Sequence, residues 1–172
     1  TNKSGIYVTD LRVKALNGSP HSAGLHLAQL RQGSWTPNPV ENNTPTTYFG
    51  AITGGVDSKS GDASIMITCN STGKRMFKKL GCRPVDYDLF FTPSSQVTTE
   101  GTWTTATQKR LPTGYLPRKL ADAMIKVEKK NHVGMIKWDV SDQGAQILLQ
   151  ALKLLPTLGM TKLERQSFEV SN

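Results

Sequence analysis

Thr47-Tyr48-Phe49-Gly50-Ala51-Ile52-Thr53, Ala63-Ser64-Ile65-Met66-Ile67-Thr68-Cys69 and Asp86-Tyr87-Asp88-Leu89-Phe90-Phe91-Thr92 are runs rich in β-branched and aromatic residues, and a fourth follows at Gln96–Thr105. Such residues suit a pleated, half-buried surface, and Gly/Asp/Ser-rich sequence separates the first two runs, so each reads as a strand. Upstream, Gly5–Leu16 alternates through Ile6, Val8, Leu11, Val13 and Ala15 with a change of parity near Thr9-Asp10. That is the pattern of a bulged strand or of two short ones, closed by the turn Asn17-Gly18-Ser19-Pro20. His21–Leu30, with Leu25, Leu27 and Leu30, fits a strand or a short helix. Residues 33–47 hold Pro37, Pro39 and Pro45 among Asn and Thr, the composition of a long surface loop.

Helical patterns fall mostly later. Gly73–Leu80 places Met76, Phe77 and Leu80 on one side and Lys74, Arg75, Lys78 and Lys79 on the other, with Gly81 as a stop. Pro117 suits a first helical turn, and Leu120, Met124 and Val127 form a stripe running to Lys130. Val133–Val140 alternates as a strand, Ser141-Asp142 offers an N-cap, and a helix over Gln143–Leu155 ends at Pro156. Strands precede helices instead of alternating with them. The expected fold is therefore α+β: an antiparallel sheet of five to seven strands with two or three helices packed on one face. A chain of 172 residues fits a single domain, 1–172.

Two apolar features point beyond a simple core. The last helix carries one stripe of Leu148, Leu152 and Leu155 and a second of Ile147, Ala151 and Leu154, and a helix lying on a sheet buries only one. The second stripe needs Leu158–Val170 or another chain, which makes Leu154 a candidate self-association residue. Trp35 is the other candidate. It is a large apolar side chain in the polar 33–47 segment, suited to a pocket within the chain or to a neighbouring subunit.

Lys and Arg number 21 against 13 Asp and Glu, a net charge of +8. The segment Lys74–Lys137 holds 13 basic and 5 acidic side chains, while the flanks hold 8 of each. The excess thus belongs to Lys74, Arg75, Lys78, Lys79 and Arg83, then Lys109, Arg110, Arg118 and Lys119, then Lys126, Lys129, Lys130 and Lys137. A localised basic surface suits a polyanion, either RNA phosphate or an anionic membrane headgroup. No RNP-type or helix-turn-helix signature accompanies it, so binding without sequence preference is expected.

Catalytic and metal motifs fail on inspection. Around Gly73-Lys74 a P-loop would need Gly at Thr68 and a hydroxyl at Arg75. His21 and His26 are five apart with no acid between them, and Asp57, Lys59 and Gly61 do not make a calcium loop. Asp86 and Asp88 share one strand face, which reads as an exposed face balancing Arg83. No G-x-S-x-G elbow occurs. Cys69 and Cys82 form no C-x-x-C and read as two inert thiols or one disulfide. No enzyme, cofactor or metal is expected. No apolar run is long enough to span a membrane and Thr1–Gly5 has no signal-peptide character, so a cytosolic or virion protein is expected.

Small size, a start at Thr1, a β-rich core, the Pro/Asn/Thr segment, the broadly apolar helix and the concentrated basic stretch together resemble the matrix proteins of plant rhabdoviruses. The resemblance is one of overall character across the chain. The sequence departs from the animal-virus relatives in having only Lys3 near its start in place of a lysine-rich arm. It also carries Pro112-Thr113-Gly114-Tyr115 where they have P-P-x-Y. The resemblance implies a non-enzymatic viral structural protein of the virion and host cytoplasm. Such a protein associates with itself, condenses ribonucleoprotein and bridges it to an anionic membrane. A capsid protein or nucleoprotein packaging nucleic acid, and a nonviral nucleic-acid-binding module, are the alternative expectations.

Overall fold

The computed structural model describes residues 23–54, 61–92, 114–129 and 134–171. The strand candidates at Gly5–Leu16 and Gln96–Thr105, with Lys109, Arg110 and Lys130, lie outside them. Chain order is β1 Gly24–Arg31, β2 Ser34–Pro39, a 3-10 turn at Glu41–Asn43, β3 Phe49–Gly54, α1 Gly61–Lys79 and β4 Tyr87–Thr92. Then come α2 Tyr115–Lys129, β5 Ile136–Val140, α3 Gly144–Leu154, a 3-10 turn at Leu155–Leu158 and β6 Gln166–Val170.

The class is α+β, but two parts of the expectation are corrected. The six-stranded sheet, in order β2-β1-β4-β3-β5-β6, is mixed. Only β2-β1 and β1-β4 pair antiparallel, whereas β4-β3, β3-β5 and β5-β6 pair parallel. Helices also cover both faces. Parallel neighbours need a crossover between them, and α1, α2 and α3 supply the three.

The strand candidate Ala63–Cys69 is the first half of α1, which absorbs the shorter helix expected at Gly73–Leu80. Ile65, Thr68, Cys69, Thr72 and Met76 are buried while Met66 and Ile67 are exposed, a period near 3.6 instead of 2. Gly81, at φ +71°, ends the helix as expected. The described part of the His21–Leu30 candidate is a strand, β1. The segment 33–47 is not a long loop, for its first part is β2, paired with β1 from Ser34 opposite Arg31 to Pro39 opposite His26. Pro37 and Pro39, which suggested a loop, are tolerated because β2 is an edge strand.

Two cores follow from the alternation of side chains. On one face Ala28, Ala51, Tyr87, Leu89 and Phe91 pack with Ile65, Cys69 and Met76 of α1. Trp35 belongs here, with its indole Nε1 donating to Val85 O at 2.8 Å. Its ring lies so close to Gly73 that a Cβ there would come within 2.3 Å of it. Trp35 therefore takes the pocket within the chain and is not offered to a second subunit.

On the other face Leu25, Ile52, Phe90, Trp138 and Val140 meet Leu120, Met124 and Val127 of α2 and Leu148, Ala151 and Leu155 of α3. The Trp138 ring covers Gly50, where a Cβ would stand 2.4 Å from it. Leu158, Met160, Leu163 and Phe168 close over this core, and Ile147 and Leu154 are partly buried against it. Leu154 is thus engaged within the chain. Leu149 and Leu152 are the leucines of α3 that face solvent.

Gln166 ties β6 to α2, donating to Met124 O at 2.8 Å and to Glu128 Oε2 at 3.0 Å while accepting from Trp138 Nε1 at 3.0 Å. Burial pushes the Glu128 carboxyl up. Hydrogen bonds from Gln166 and from the Glu164 and Arg165 N–H groups, with the charge of Arg165, outweigh it and hold its pKa below the ordinary value of 4.5.

Trp35→Ala is expected to destabilise the monomer by about 3–5 kcal/mol in urea denaturation, through the cavity it leaves, with no change in oligomeric state by sedimentation. A carboxyl with a depressed folded pKa stabilises above its unfolded pKa and ceases to do so as pH falls through the folded value. Glu128→Gln should therefore lower the thermal midpoint at neutral pH, and its curve should converge on that of the wild type in acid once the pH falls through the depressed folded pKa of Glu128.

Candidate functional site

β5 alternates Ile136, Trp138 and Val140 into the α2/α3 core with Lys137 and Asp139 toward α1. Asp139 is thereby buried on a face where α1 passes with four cations. At 100° per residue Lys74, Lys78, Arg75 and Lys79 occupy one continuous arc of that helix. The inner half of the arc reaches the carboxylate. Arg75 donates to Asp139 Oδ2 through Nε at 3.2 Å and Nη2 at 2.8 Å. Lys79 Nζ stands 3.7 Å from Oδ1 and pairs more closely with Glu169 on β6. Oδ1 is buried and accepts no hydrogen bond, so Lys79 acts on it as a nearby charge only. The outer half of the arc, Lys74 and Lys78, is exposed and makes no ion pair among the described residues.

A polar seam continues from this pair to the carboxyl ends of the strands. Arg75 Nη2 lies 3.5 Å from Ser141 Oγ, Ser141 Oγ donates to Thr53 Oγ1 at 3.0 Å, and Thr92 Oγ1 donates to Thr53 O at 3.0 Å. β3 leads to α1 on one face and its neighbour β5 leads to α3 on the other, so the seam marks the divergence of connections where open α/β sheets bind ligands.

Beside the ion pair, between α1 and the α1-side face of β5 and β6, lies a cleft of about 390 Å³. Phe49, Met76 and Leu80 form apolar walls, Lys79, Lys137, Ser167 and Glu169 the polar rim, and Asp139 part of the floor.

Of the other expected basic residues that are described, Lys137 shares this face, whereas those of α2 do not. Arg118, Lys119, Lys126 and Lys129 ride on α2 across the sheet, and Arg83 follows α1 as an exposed residue. Lys119 donates to Tyr115 Oη at 3.1 Å, and Lys126 pairs with Asp122 at 3.0 Å and donates to Asn42 O. A second cleft, of about 380 Å³, opens there beside His26 and Asn43. Among the described residues, the single basic face drawn from Lys74–Lys137 is two surfaces on opposite sides of the sheet.

Remaining candidates have structural duties. Asp88 is buried, not exposed, and accepts from the Thr47 N–H at 2.8 Å and Thr47 Oγ1 at 2.5 Å. Cys69 and Cys82 are free thiols, the first buried and the second exposed. Burial pushes the Cys69 thiol up to about 11, too high for a reactive thiolate near neutral pH. No group of three or more His, Cys, Asp or Glu able to hold a metal occurs among the described residues. No described helix is long and apolar enough to cross a membrane.

Asp139 and Glu169 escaped the sequence reading, and Ser141, expected with Asp142 as an N-cap, makes no side-chain cap on α3 and gives its hydroxyl to Thr53 instead. The alternation of Lys137 and Asp139 against Ile136, Trp138 and Val140 was the available signal. The sequence matches no protein-family model, and it matches no curated protein and no solved structure.

Arg75→Ala leaves the Asp139 carboxylate buried without its donors and is expected to cost about 1–3 kcal/mol in urea denaturation, at the low end because the guanidinium is partly solvated. Arg75→Met combined with Asp139→Leu should recover part of that loss, which identifies the cost as the stranded carboxylate.

Proposed function

We propose that this chain is a non-enzymatic RNA-binding protein that grips the phosphate backbone through the exposed basic arc of α1. The observation carrying the reading is the division of that arc into two roles. Arg75 and Lys79 are held by Asp139 and Glu169, while Lys74 and Lys78, one turn apart, point into solvent with no carboxylate among the described residues near enough to pair with them. Fixed inner cations keep the helix in place, and the outer ones exchange counterions for phosphates. Trp35 and Leu154 are committed within the chain, so the charge pattern alone supports the proposal.

One observation favours a second reading, docking on an anionic membrane. Met66 and Ile67 are 46% and 44% exposed on the same helix, and an interfacial helix combines cations with such apolar residues.

Lys74→Ala with Lys78→Ala should weaken binding of an unstructured RNA and flatten its log K against log salt plot by about 1.4, roughly 0.7 for each phosphate no longer neutralised. Arg118→Ala with Lys129→Ala, on the opposite side of the sheet, should leave both unchanged. Fluorescence anisotropy over a salt series measures this. Loss of binding to phosphatidylserine vesicles in Met66→Ser with Ile67→Ser, at unaltered RNA binding, would favour the membrane reading instead.

A further inference from the structure

We infer that the cleft between α1 and strands β5 and β6 takes one unpaired nucleobase, so that the RNA bound along α1 is single-stranded. This rests on the RNA reading of the basic arc and specifies the form of its ligand. Charge in the cleft is balanced. Lys79 and Lys137 line it together with Asp139 and Glu169, so it offers little to a phosphate but suits a neutral guest. Its walls include Phe49, Met76 and Leu80, which favour a flat apolar surface, while the Ser167 hydroxyl and the Glu169 carboxylate at the rim can meet the polar edge of a ring.

A space of about 390 Å³ falls at the small-ligand end of protein pockets, typically about 300–1,000 Å³. Lys74 and Lys78 stand on the solvent side of the same helix that gives the cleft Met76 and Lys79, so a strand crossing that helix would meet the outer cations before its base enters the cleft. The ion pair between the partly solvated Arg75 and the buried Asp139 holds α1 at its distance from β5 and so keeps the cleft open. A base within a duplex is stacked and paired and cannot enter, whereas an unpaired one can turn out of the strand.

Three ligands separate this inference from the reading beneath it: single-stranded RNA, the same sequence as a duplex, and inorganic polyphosphate, which has charge but no bases. Single-stranded RNA should bind roughly tenfold tighter than the duplex, in line with stacking of one base. Ser167→Tyr, filling the cleft from β6, should erase that preference and leave polyphosphate binding unchanged; Lys137→Tyr fills it from β5 should the first variant misfold. Equal affinities for single strand and duplex, or a preference that survives both substitutions, overturn the cleft while the basic arc stands. If polyphosphate and RNA both fail to bind, the arc falls. Adenosine then decides the cleft alone: shifts at the amides of Phe49, Lys137 and Ser167 support it, and unmoved amides sink it.

Discussion

Every residue of β4, from Tyr87 to Thr92, is buried, and that requirement organises the molecule. Tyr87, Leu89 and Phe91 face α1, while Phe90 faces α2 and α3. A strand buried on both sides needs a helical layer on each, and three crossovers place one helix on one face and two on the other. The basic segment of the sequence runs through α1 and α2, so layering divides its charge between opposite surfaces.

Burial on both faces also constrains the polar groups caught inside. Tyr87 donates its hydroxyl to Cys69 O at 2.5 Å, and desolvation, the largest influence, pushes the pKa of both side chains up, so each stays neutral at ordinary pH and joins helix to strand. Asp88 is satisfied by the chain entering β3, and Asp139 is engaged through Oδ2 by a cation from α1. Each buried carboxylate thus positions a neighbouring segment: Asp88 sets the turn before β3, and Asp139 sets α1 against β5. The second is the one with a functional outcome, because it anchors half of the basic arc and leaves the other half outward.

The cleft is a by-product of the same layering. α1 lies over the β2 side of the sheet, where Gly73 lets it approach Trp35 closely, and among the described residues only its cationic edge reaches β5 and β6 on that face. On the opposite face α2, α3 and the chain from Leu158 to Leu163 complete the cover. A concave surface therefore remains where the helix edge meets bare strand, lined by residues that alternate away from the well-filled core.

Local pattern alone determined β3, β4, β5, the apolar stripe of α2, the site of α3 and the stop at Gly81, because each rests on a periodicity or a turn residue that acts within a few residues. The overall positive charge was equally legible, being a sum over the chain. Three things were decided only by the tertiary structure. Ile65-Met66-Ile67 is β-branched and apolar enough for a strand, and burial of Ile65 and Cys69 against the sheet made it helix. Pro37 and Pro39 broke the local strand pattern, and position at the sheet edge made them acceptable. Which cations share a surface depends on the side of the sheet to which each crossover turns, and the pairing of Arg75 with Asp139 spans 64 residues, a distance over which no sequence period carries information.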